Sequence, residues 1–203
     1  MSRQFLFGYG SLINQESRSI TGITKNPVVV TVRGFERSWC VQSPSMRLTG
    51  LGIFPNADAR CNGVLVELDP DQLAAFDERE LGGSDENYAR VQVPHRAVEG
   101  PSLPGSAIVW AYIVRKPSLP TSPFPIAQSY LDVILMGCLD FGEPFAAEFV
   151  GTTSGWDSPW VDDRSSPRYV RHLAAGVALS RVDDVLKQAI PATWLHRVVD
   201  AGT

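Results

Sequence analysis

Short apolar runs separated by turn-forming residues dominate the first half of the chain. Runs of this length, rich in β-branched and aromatic residues, are typical of buried or half-buried strands. We therefore predict strands at residues 5–7, 27–32, 35–41, 51–54, 64–68, 88–93 and 107–114. The polar stretch 56–62 is predicted to be a turn, and the proline-rich stretch 116–125 an extended connector.

Helical periodicity occurs at residues 70–81, 126–139 and 180–188. In the last segment we predict a capping box formed by Ser180 and Asp183, with an inward face made of Val182, Val185, Leu186 and Ala189. A series of short strands followed by a largely helical second half predicts a single α/β domain of the mixed α+β kind.

The helix at 70–81 has clear boundary signals. Asp69 is a natural N-cap, Pro70 suits the first helical position, and Gln72 completes a capping box. Gly82 and Gly83 follow and can take the left-handed conformation that ends a helix. This is the best-defined helix that the sequence predicts.

The same helix carries an apolar stripe that ends in a carboxylate. Glu80 lies four residues after Phe76 and seven after Leu73, so its side chain faces the same way. Burial raises the pKa of a carboxyl group, and neighbouring Asp77 acts in the same direction. Glu80 is therefore the candidate proton acceptor.

Arginines near these elements have two interpretations. Arg79 or Arg90 can pair with Glu80, which would make the glutamate a structural helix-end residue. Others can bind a substrate carboxylate bidentately, although a solvated surface arginine is the commoner outcome. The candidates of this second kind are Arg33, Arg37 and Arg47.

The N-terminal run FLFGYGSLI places two glycines around Tyr9. Gly8 and Gly10 permit a turn with positive φ and a close approach of the backbone to a ligand, and Ser11 can cap the turn that follows. Such a turn aims several N–H groups at one point, where a carboxylate or a developing oxyanion can bind.

This loop has four other interpretations. Ile13 stands where a dinucleotide fingerprint requires its third glycine, and the spacing does not fit a phosphate-binding P-loop either. Ser11 lacks the frame of a nucleophile elbow, so we do not assign it as a nucleophile. A tight strand-to-helix turn without a ligand remains the plain alternative.

Composition narrows the class of protein. The 203 residues carry a net charge of -4, which gives no electrostatic reason to bind nucleic acid or an acidic membrane. Three widely separated cysteines indicate neither a disulfide framework nor a zinc site. Because no targeting segment or membrane-spanning run is visible, we expect a cytoplasmic protein, and the sequence leaves the oligomeric state open.

The segment 156–169 is rich in tryptophan, proline and charge, and we expect it to wrap the core or to cover a pocket. Asp157, Asp162, Asp163 and His172 match no closed set of metal ligands, so no metal site is predicted there.

Several spaced motifs resemble one superfamily, the γ-glutamylcyclotransferase-like proteins. They are FGYGSLI at 7–13, CNGVLV at 61–66, DERE at 77–80, YARVQV at 88–93 and SYLDVILMG at 129–137. The resemblance implies the γ-glutamylcyclotransferase-like fold, a small mixed β-barrel with helices around it, over a single domain 1–203. From about residue 144 the chain diverges from the family pattern.

The resemblance also implies an activity. Glu80 would be the catalytic acid/base of a reaction that releases 5-oxoproline from a small-molecule γ-glutamyl substrate, with no metal and no cofactor. The residues that would bind the substrate are Tyr9, Gly10, Ser11, Leu12, Ile13, Tyr88 and Tyr130. Residues 84–87 lengthen the turn before Tyr88 relative to glutathione-specific ChaC-type enzymes, which leaves glutathione, γ-glutamyl peptides and γ-glutamylamines open as substrates. A non-catalytic binding module of the same fold is the alternative from another class.

Overall fold

A computed structural model describes residues 3–22, 24–25, 27–81 and 87–200, with the backbone alone at 70 and 71. The strands are β1 Gln4–Gly8, β2 Val28–Ser43, β3 Leu48–Leu68, β4 Tyr88–Gln92, β5 Val98–Glu99, β6 Ile108–Val114, β7 Ile126–Ala127, β8 Thr153–Ser154, β9 Trp160–Asp162 and β10 Val198–Val199. The helices are α1 Gln15–Ser19, α2 Pro70–Leu81, α3 Gln128–Leu139, α4 Glu143–Gly151, α5 Ser180–Ala189 and α6 Pro191–Leu195. The predicted mixed α+β class is confirmed.

The chain divides into two compact units. The first comprises Met1–Arg37 and Ile53–Lys116, and the second comprises Ser38–Gly52 and Pro117–Thr203. The expectation of one domain over residues 1–203, with a divergent end from about residue 144, stays a prediction. None of the helices among the described residues is long and apolar enough to cross a membrane.

The start of α2 at Pro70 is confirmed. Its predicted end at Gly82 and Gly83, and most of the predicted insert at 84–87, lie outside the described residues.

The predicted turn at 56–62 is wrong, because these residues continue strand β3. Their polar side chains are satisfied at the strand surface or by partners on β2. The Asn56 amide donates to the Glu36 carboxylate at 2.8 Å, and the Asn62 side-chain oxygen accepts from buried Arg37 at 3.0 Å. Residues 56–60 are partly or fully exposed on the strand, and Asn62 is buried against Arg37. Polar composition therefore marked a strand with solvated or paired polar side chains and not a chain reversal.

In the first unit the strand order is β4-β6-β1-β3, and β2 pairs with both β3 and β5. β1 runs parallel to β6 and antiparallel to β3. One face of these strands contributes to a single apolar core, to which partly buried residues of β4 and β5 are added. Its buried members are Phe5, Phe7, Tyr9, Val30, Val32, Ile53, Cys61, Leu65, Val93, Ala107, Val109 and Ala111.

Gly63 on β3 is required by close packing. A Cβ atom at this position would lie 2.5 Å from the carbonyl oxygen of Gly8 and 2.5 Å from a ring carbon of Phe7. Because the obstructing oxygen belongs to the backbone of β1, it cannot move without disturbing the β1–β3 pairing.

We expect Gly63→Ala to lower the free energy of unfolding by about 2 kcal/mol or more, since overpacking of this kind typically costs about 1–3 kcal/mol. Gly105→Ala is the matched control, because a Cβ atom there would meet nothing within 4 Å. Denaturant unfolding of both variants checks this. Equal stabilities for the two variants would contradict the packing argument.

The opposite face of β4 and β6 contacts α2. The Tyr112 hydroxyl on β6 donates to Asp77 of α2 at 2.9 Å, and Arg90 on β4 forms an ion pair with the same carboxylate. Phe76 is fully buried on this helix. These contacts fix the helix that carries Glu80 against the sheet.

The second unit packs α3, α4 and α5 together and pairs β7 with β3 and β9. A series of aromatic rings runs through it in edge-to-face or tilted pairs, with centroid separations between 4.7 and 5.9 Å. The rings are those of Tyr169, Tyr130, Trp39, Trp156, Trp160 and Trp194. The aromatic residues of 156–169 therefore serve the packing of this unit.

Asp163 has a structural role in the second unit. It is fully buried, and its carboxylate accepts hydrogen bonds from the backbone N–H and the hydroxyl of Ser129 at 2.7 and 2.6 Å. It thereby satisfies an N–H group in the first turn of α3.

The predicted capping box of α5 is wrong. Leu179 occupies the N-cap without a side-chain hydrogen bond, and Asp183 instead binds Arg164 at 2.7 Å. Ala189 is exposed, whereas the predicted burial of Val182, Val185 and Leu186 is confirmed. The ion pair with Arg164 is a long-range contact that periodicity does not reveal.

Candidate active site

The loop after β1 is a single turn of 3₁₀ helix, Ser11–Ile13, preceded by Gly10. The N–H of Ile13 donates to the carbonyl oxygen of Gly10 at 2.9 Å. In a 3₁₀ turn this bond leaves the N–H groups of Ser11 and Leu12 without an acceptor inside the turn. These two groups are the donors that the loop can direct at a ligand.

The expectation of positive φ at the two loop glycines is wrong. Gly10 has a φ of -141°, and Gly8 is not among the glycines with positive φ. Gly8 is needed for another reason, because a Cβ atom there would lie 3.0 Å from the Cβ of Leu12. The loop folds back closely on the end of β1, and glycine provides the space.

Buried Arg18 of α1 binds the carbonyl side of the loop. Its Nη1 donates to the carbonyl oxygens of Leu12 and Ile13 at 2.8 and 2.5 Å. With these carbonyls turned toward the guanidinium, the loop is fixed by a group that is 2% exposed. A loop fixed in this way is preorganised for binding through its remaining backbone groups.

Ser11 does not cap the turn, so that prediction is wrong. Gly10 is the N-cap of the turn, and Asn14 caps α1 by accepting from the N–H of Ser17 at 3.0 Å. The Ser11 hydroxyl instead accepts a hydrogen bond from Nη2 of Arg79 at 3.1 Å.

Glu80 lies in the last turn of α2, and its side chain is 22% exposed. Its Oε1 is 3.0 Å from Nε of Arg79. The ion pair with Arg79, which the sequence left open as an alternative, therefore exists. It does not exclude a catalytic role, because the carboxylate keeps access to solvent and thus to a substrate.

Arg79 brings the predicted loop and the predicted base together. One guanidinium contacts the Ser11 hydroxyl through Nη2 and the Glu80 carboxylate through Nε. Ser11 and Glu80 are far apart in sequence, yet both bind the Arg79 side chain, which is only 5% exposed.

A second network lies beside this one and includes Tyr9. The Tyr9 hydroxyl donates to the carbonyl oxygen of Tyr112 at 2.7 Å, and the Tyr112 hydroxyl donates to Asp77. Burial raises the pKa of Tyr112 far above its usual range, and the carboxylates of Asp77 and Glu80 add to the effect. Tyr112 is therefore held as a neutral hydrogen-bond donor close to both acidic residues.

Asp77 is neutralised by Arg90, whose guanidinium also lies 4.7 Å from the ring centroid of Trp110. Tyr88 is two residues before Arg90 on β4 and so projects from the same face of the strand, the face that contacts α2. Tyr88 is partly buried there. Its role as a substrate contact stays a prediction.

Tyr130 belongs to the second unit and is 8% exposed on α3. Its ring packs edge-to-face against Trp39 and Tyr169, at centroid distances of 5.9 and 4.7 Å. Its predicted contact with a substrate also stays a prediction.

Two of the three arginines considered for binding a carboxylate have side chains that bind protein groups, and for Arg47 the carboxylate role stays a prediction. Arg37 is fully buried and donates to the backbone and side chain of Asn62, while Arg33 pairs with Glu99. The carbonyl oxygen of Arg47 accepts from Arg168. Within the described ranges, no group of three or more histidine, cysteine or acidic side chains can hold a metal ion.

A match to a family model shows which protein family the chain belongs to. Residues 6–131 match the family described as gamma-glutamyl cyclotransferase, AIG2-like. The chain belongs to this family. The predicted recognition of the γ-glutamylcyclotransferase superfamily is thereby confirmed, and the match includes β1, the loop, α2 and the sheet that holds them.

Solved structures similar to this AIG2-like cyclotransferase family member share its fold. One named gamma-glutamyl cyclotransferase is 16% identical with a TM-score of 0.53, and the alignment covers 92% of this chain and 99% of that one. An uncharacterized protein from Homo sapiens is 16% identical with a TM-score of 0.52, covering 91% and 99%. YkqA from Bacillus subtilis is 15% identical with a TM-score of 0.53, covering 76% and 57%. Comparison with curated proteins gave no match.

Sequence reasoning missed three groups of this AIG2-like site: Arg18, Tyr112 and the linking role of Arg79. One signal was available for Arg79, which lies three residues after Phe76 and therefore beside the buried stripe of α2. Arg18 lies on a five-residue helix with no apolar periodicity, and Tyr112 reads as an ordinary strand residue.

Proposed function

We propose that the protein is a γ-glutamylcyclotransferase, a lyase that releases 5-oxoproline from a γ-glutamyl peptide or amide in the cytoplasm. The observation that carries the proposal is the guanidinium of Arg79, which binds Ser11 of the loop after β1 and the carboxylate of Glu80 together. Membership of the AIG2-like family supports the same reaction class.

The substrate supplies its own nucleophile in this proposal. Its α-amine attacks the γ-carbonyl carbon, a C–N bond closes a five-membered ring, and the bond to the leaving amine breaks. No water is consumed. Holding the substrate folded for this attack can contribute about 7 kcal/mol to lowering the barrier.

Glu80 moves the proton in this proposal. It accepts a proton from the substrate ammonium, so that the amine can attack, and delivers a proton to the departing nitrogen as the ring forms. Partial exposure of its side chain agrees with contact to a substrate. No metal and no cofactor are needed for these steps.

The loop supplies electrostatic stabilisation in this proposal. Within the Tyr9–Ile13 loop, the backbone N–H groups of Ser11 and Leu12 would bind the substrate carboxylate or the oxyanion that forms at the γ-carbonyl. The orientation of the loop, with two carbonyls taken up by Arg18, supports this assignment. Tyr88 would add a contact to the small-molecule substrate.

An assay for 5-oxoproline over three substrates tests the proposal. We expect the purified protein to release 5-oxoproline from at least one of glutathione, a γ-glutamyl amino acid and a γ-glutamylamine, since these differ only in the leaving group. Isothermal titration with each substrate accompanies the assay. Binding without turnover of any of the three would instead identify the non-catalytic binding module.

A further inference from the structure

All three nitrogens of the Arg79 guanidinium contact protein oxygens. Nε contacts Glu80 at 3.0 Å, and Nη1 donates to the carbonyl oxygen of Ser17 at 2.8 Å and to the hydroxyl of Thr21 at 2.6 Å. Nη2 donates to the hydroxyls of Ser11 and Ser17 at 3.1 and 3.2 Å. A guanidinium has five N–H donors; the two terminal nitrogens form four hydrogen bonds here, and Nε lies within ion-pair distance of the Glu80 carboxylate.

Because its guanidinium contacts protein groups on every nitrogen, Arg79 can be distinguished from an arginine that binds substrate. An arginine that binds a substrate carboxylate presents a fork of N–H groups to the solvent. Arg79 is 5% exposed, and its donors are already committed to the protein. It is therefore built to hold protein groups in place, and it cannot bind a substrate without giving up a contact.

The five contacts join three segments of the chain that must keep a fixed arrangement for the proposed reaction to occur at this site. Ser11 belongs to the loop after β1, Ser17 and Thr21 belong to α1 and the turn after it, and Glu80 lies in the last turn of α2. Four of the five acceptors are neutral oxygens, and Glu80 supplies the charge that compensates the buried cation. An uncompensated buried charge would be costly, so the pair favours the ionised form of Glu80.

We propose that Arg79 is a positioning residue of this site, which keeps Glu80 ionised as a proton acceptor and holds the Ser11 loop at a fixed distance from it. The inference rests on the proposed function for its catalytic meaning, but the coupling between Arg79 and Glu80 can be measured in an inactive protein as well.

Two substitutions of Arg79 separate the effect of its positive charge from the effect of its hydrogen-bond geometry. Arg79→Gln removes the cation, whereas Arg79→Lys keeps it but cannot reach Ser11, Ser17, Thr21 and Glu80 together, because an ammonium is a point donor and not a planar fork. Ser11→Ala removes one contact to the loop and leaves the Arg79–Glu80 pair in place. Melting temperatures identify any variant that fails to fold. If the Arg79 variants do not fold, Ser11→Ala still tests the contact between Arg79 and the loop.

The test is a ¹³C NMR titration of the Glu80 side-chain carboxyl, assigned by loss of its signal in Glu80→Gln, together with the pH profile of kcat/KM. We expect the midpoint of the Glu80 titration to move up by about one pH unit in Arg79→Gln and to stay near the wild-type value in Arg79→Lys and Ser11→Ala. The acid limb of kcat/KM should follow the same shifts, and kcat should fall at least about tenfold in both Arg79 variants.

A purely structural role predicts another pattern. All three variants would then lose thermal stability while the Glu80 midpoint and the pH profile stay where they are in the wild type, and that result would overturn the proposal. If no substrate is turned over by the wild type, the proposed function fails, and the NMR midpoints alone still decide whether Arg79 controls Glu80.

Discussion

Glu80→Gln should lower kcat for 5-oxoproline release by at least about 100-fold, because a general acid–base group typically contributes about 10² to 10⁴ in rate. The amide keeps the size of the side chain and an oxygen that can accept from Nε of Arg79. It cannot take a proton from the substrate ammonium. Substrate binding, measured by titration calorimetry, should change little.

Glu78→Gln is the matched control for this substitution. Glu78 lies on the same helix two residues earlier, and its side chain is exposed. Both variants remove one negative charge from the end of α2, so a general electrostatic effect would appear in both. Comparable activity in the Glu80 and Glu78 variants would exclude Glu80 as the base.

Arg18→Met should lower the free energy of unfolding by about 3 kcal/mol. Two hydrogen bonds from a charged donor are lost, each worth about 1.5–3 kcal/mol. Replacing a buried charge by an apolar group can be neutral, but here it leaves the carbonyl oxygens of Leu12 and Ile13 without this donor inside the protein. The loop would lose its fixed shape, and kcat/KM should fall as well.

Arg33→Met is the control for the stability measurement. The Arg33 side chain is 64% exposed and pairs with Glu99 at the surface, an interaction worth at most about 1 kcal/mol. Chemical denaturation of the two variants gives the comparison. If both lose the same small amount of stability, buried Arg18 does not hold the loop.

The local pattern of the chain predicted much of the fold and part of the site. Alternation and helical spacing are local properties, which is why α2 begins at Pro70 as expected and why Glu80 could be selected by its spacing from Phe76. The same rules failed where two strands pair over a long distance. The polar residues 56–62 resemble a turn until their partners on β2 are known.

The contacts that organise the site were out of reach of sequence reasoning. Arg79 meets Ser11 across 68 positions, and Tyr112 meets Asp77 across 35. No spacing rule connects residues so far apart. Gly8 shows another limit, since positive φ and a close approach both require glycine, and the sequence does not distinguish them.

The central claim is ring closure by the amine of the substrate itself, and the most direct measurement of it is product analysis in water enriched in ¹⁸O. The mechanism consumes no water, so mass spectrometry should find 5-oxoproline and the free amine in equal amounts, with no ¹⁸O in the 5-oxoproline. Glutamate carrying one ¹⁸O in its side-chain carboxylate would show hydrolysis by water and would contradict the account.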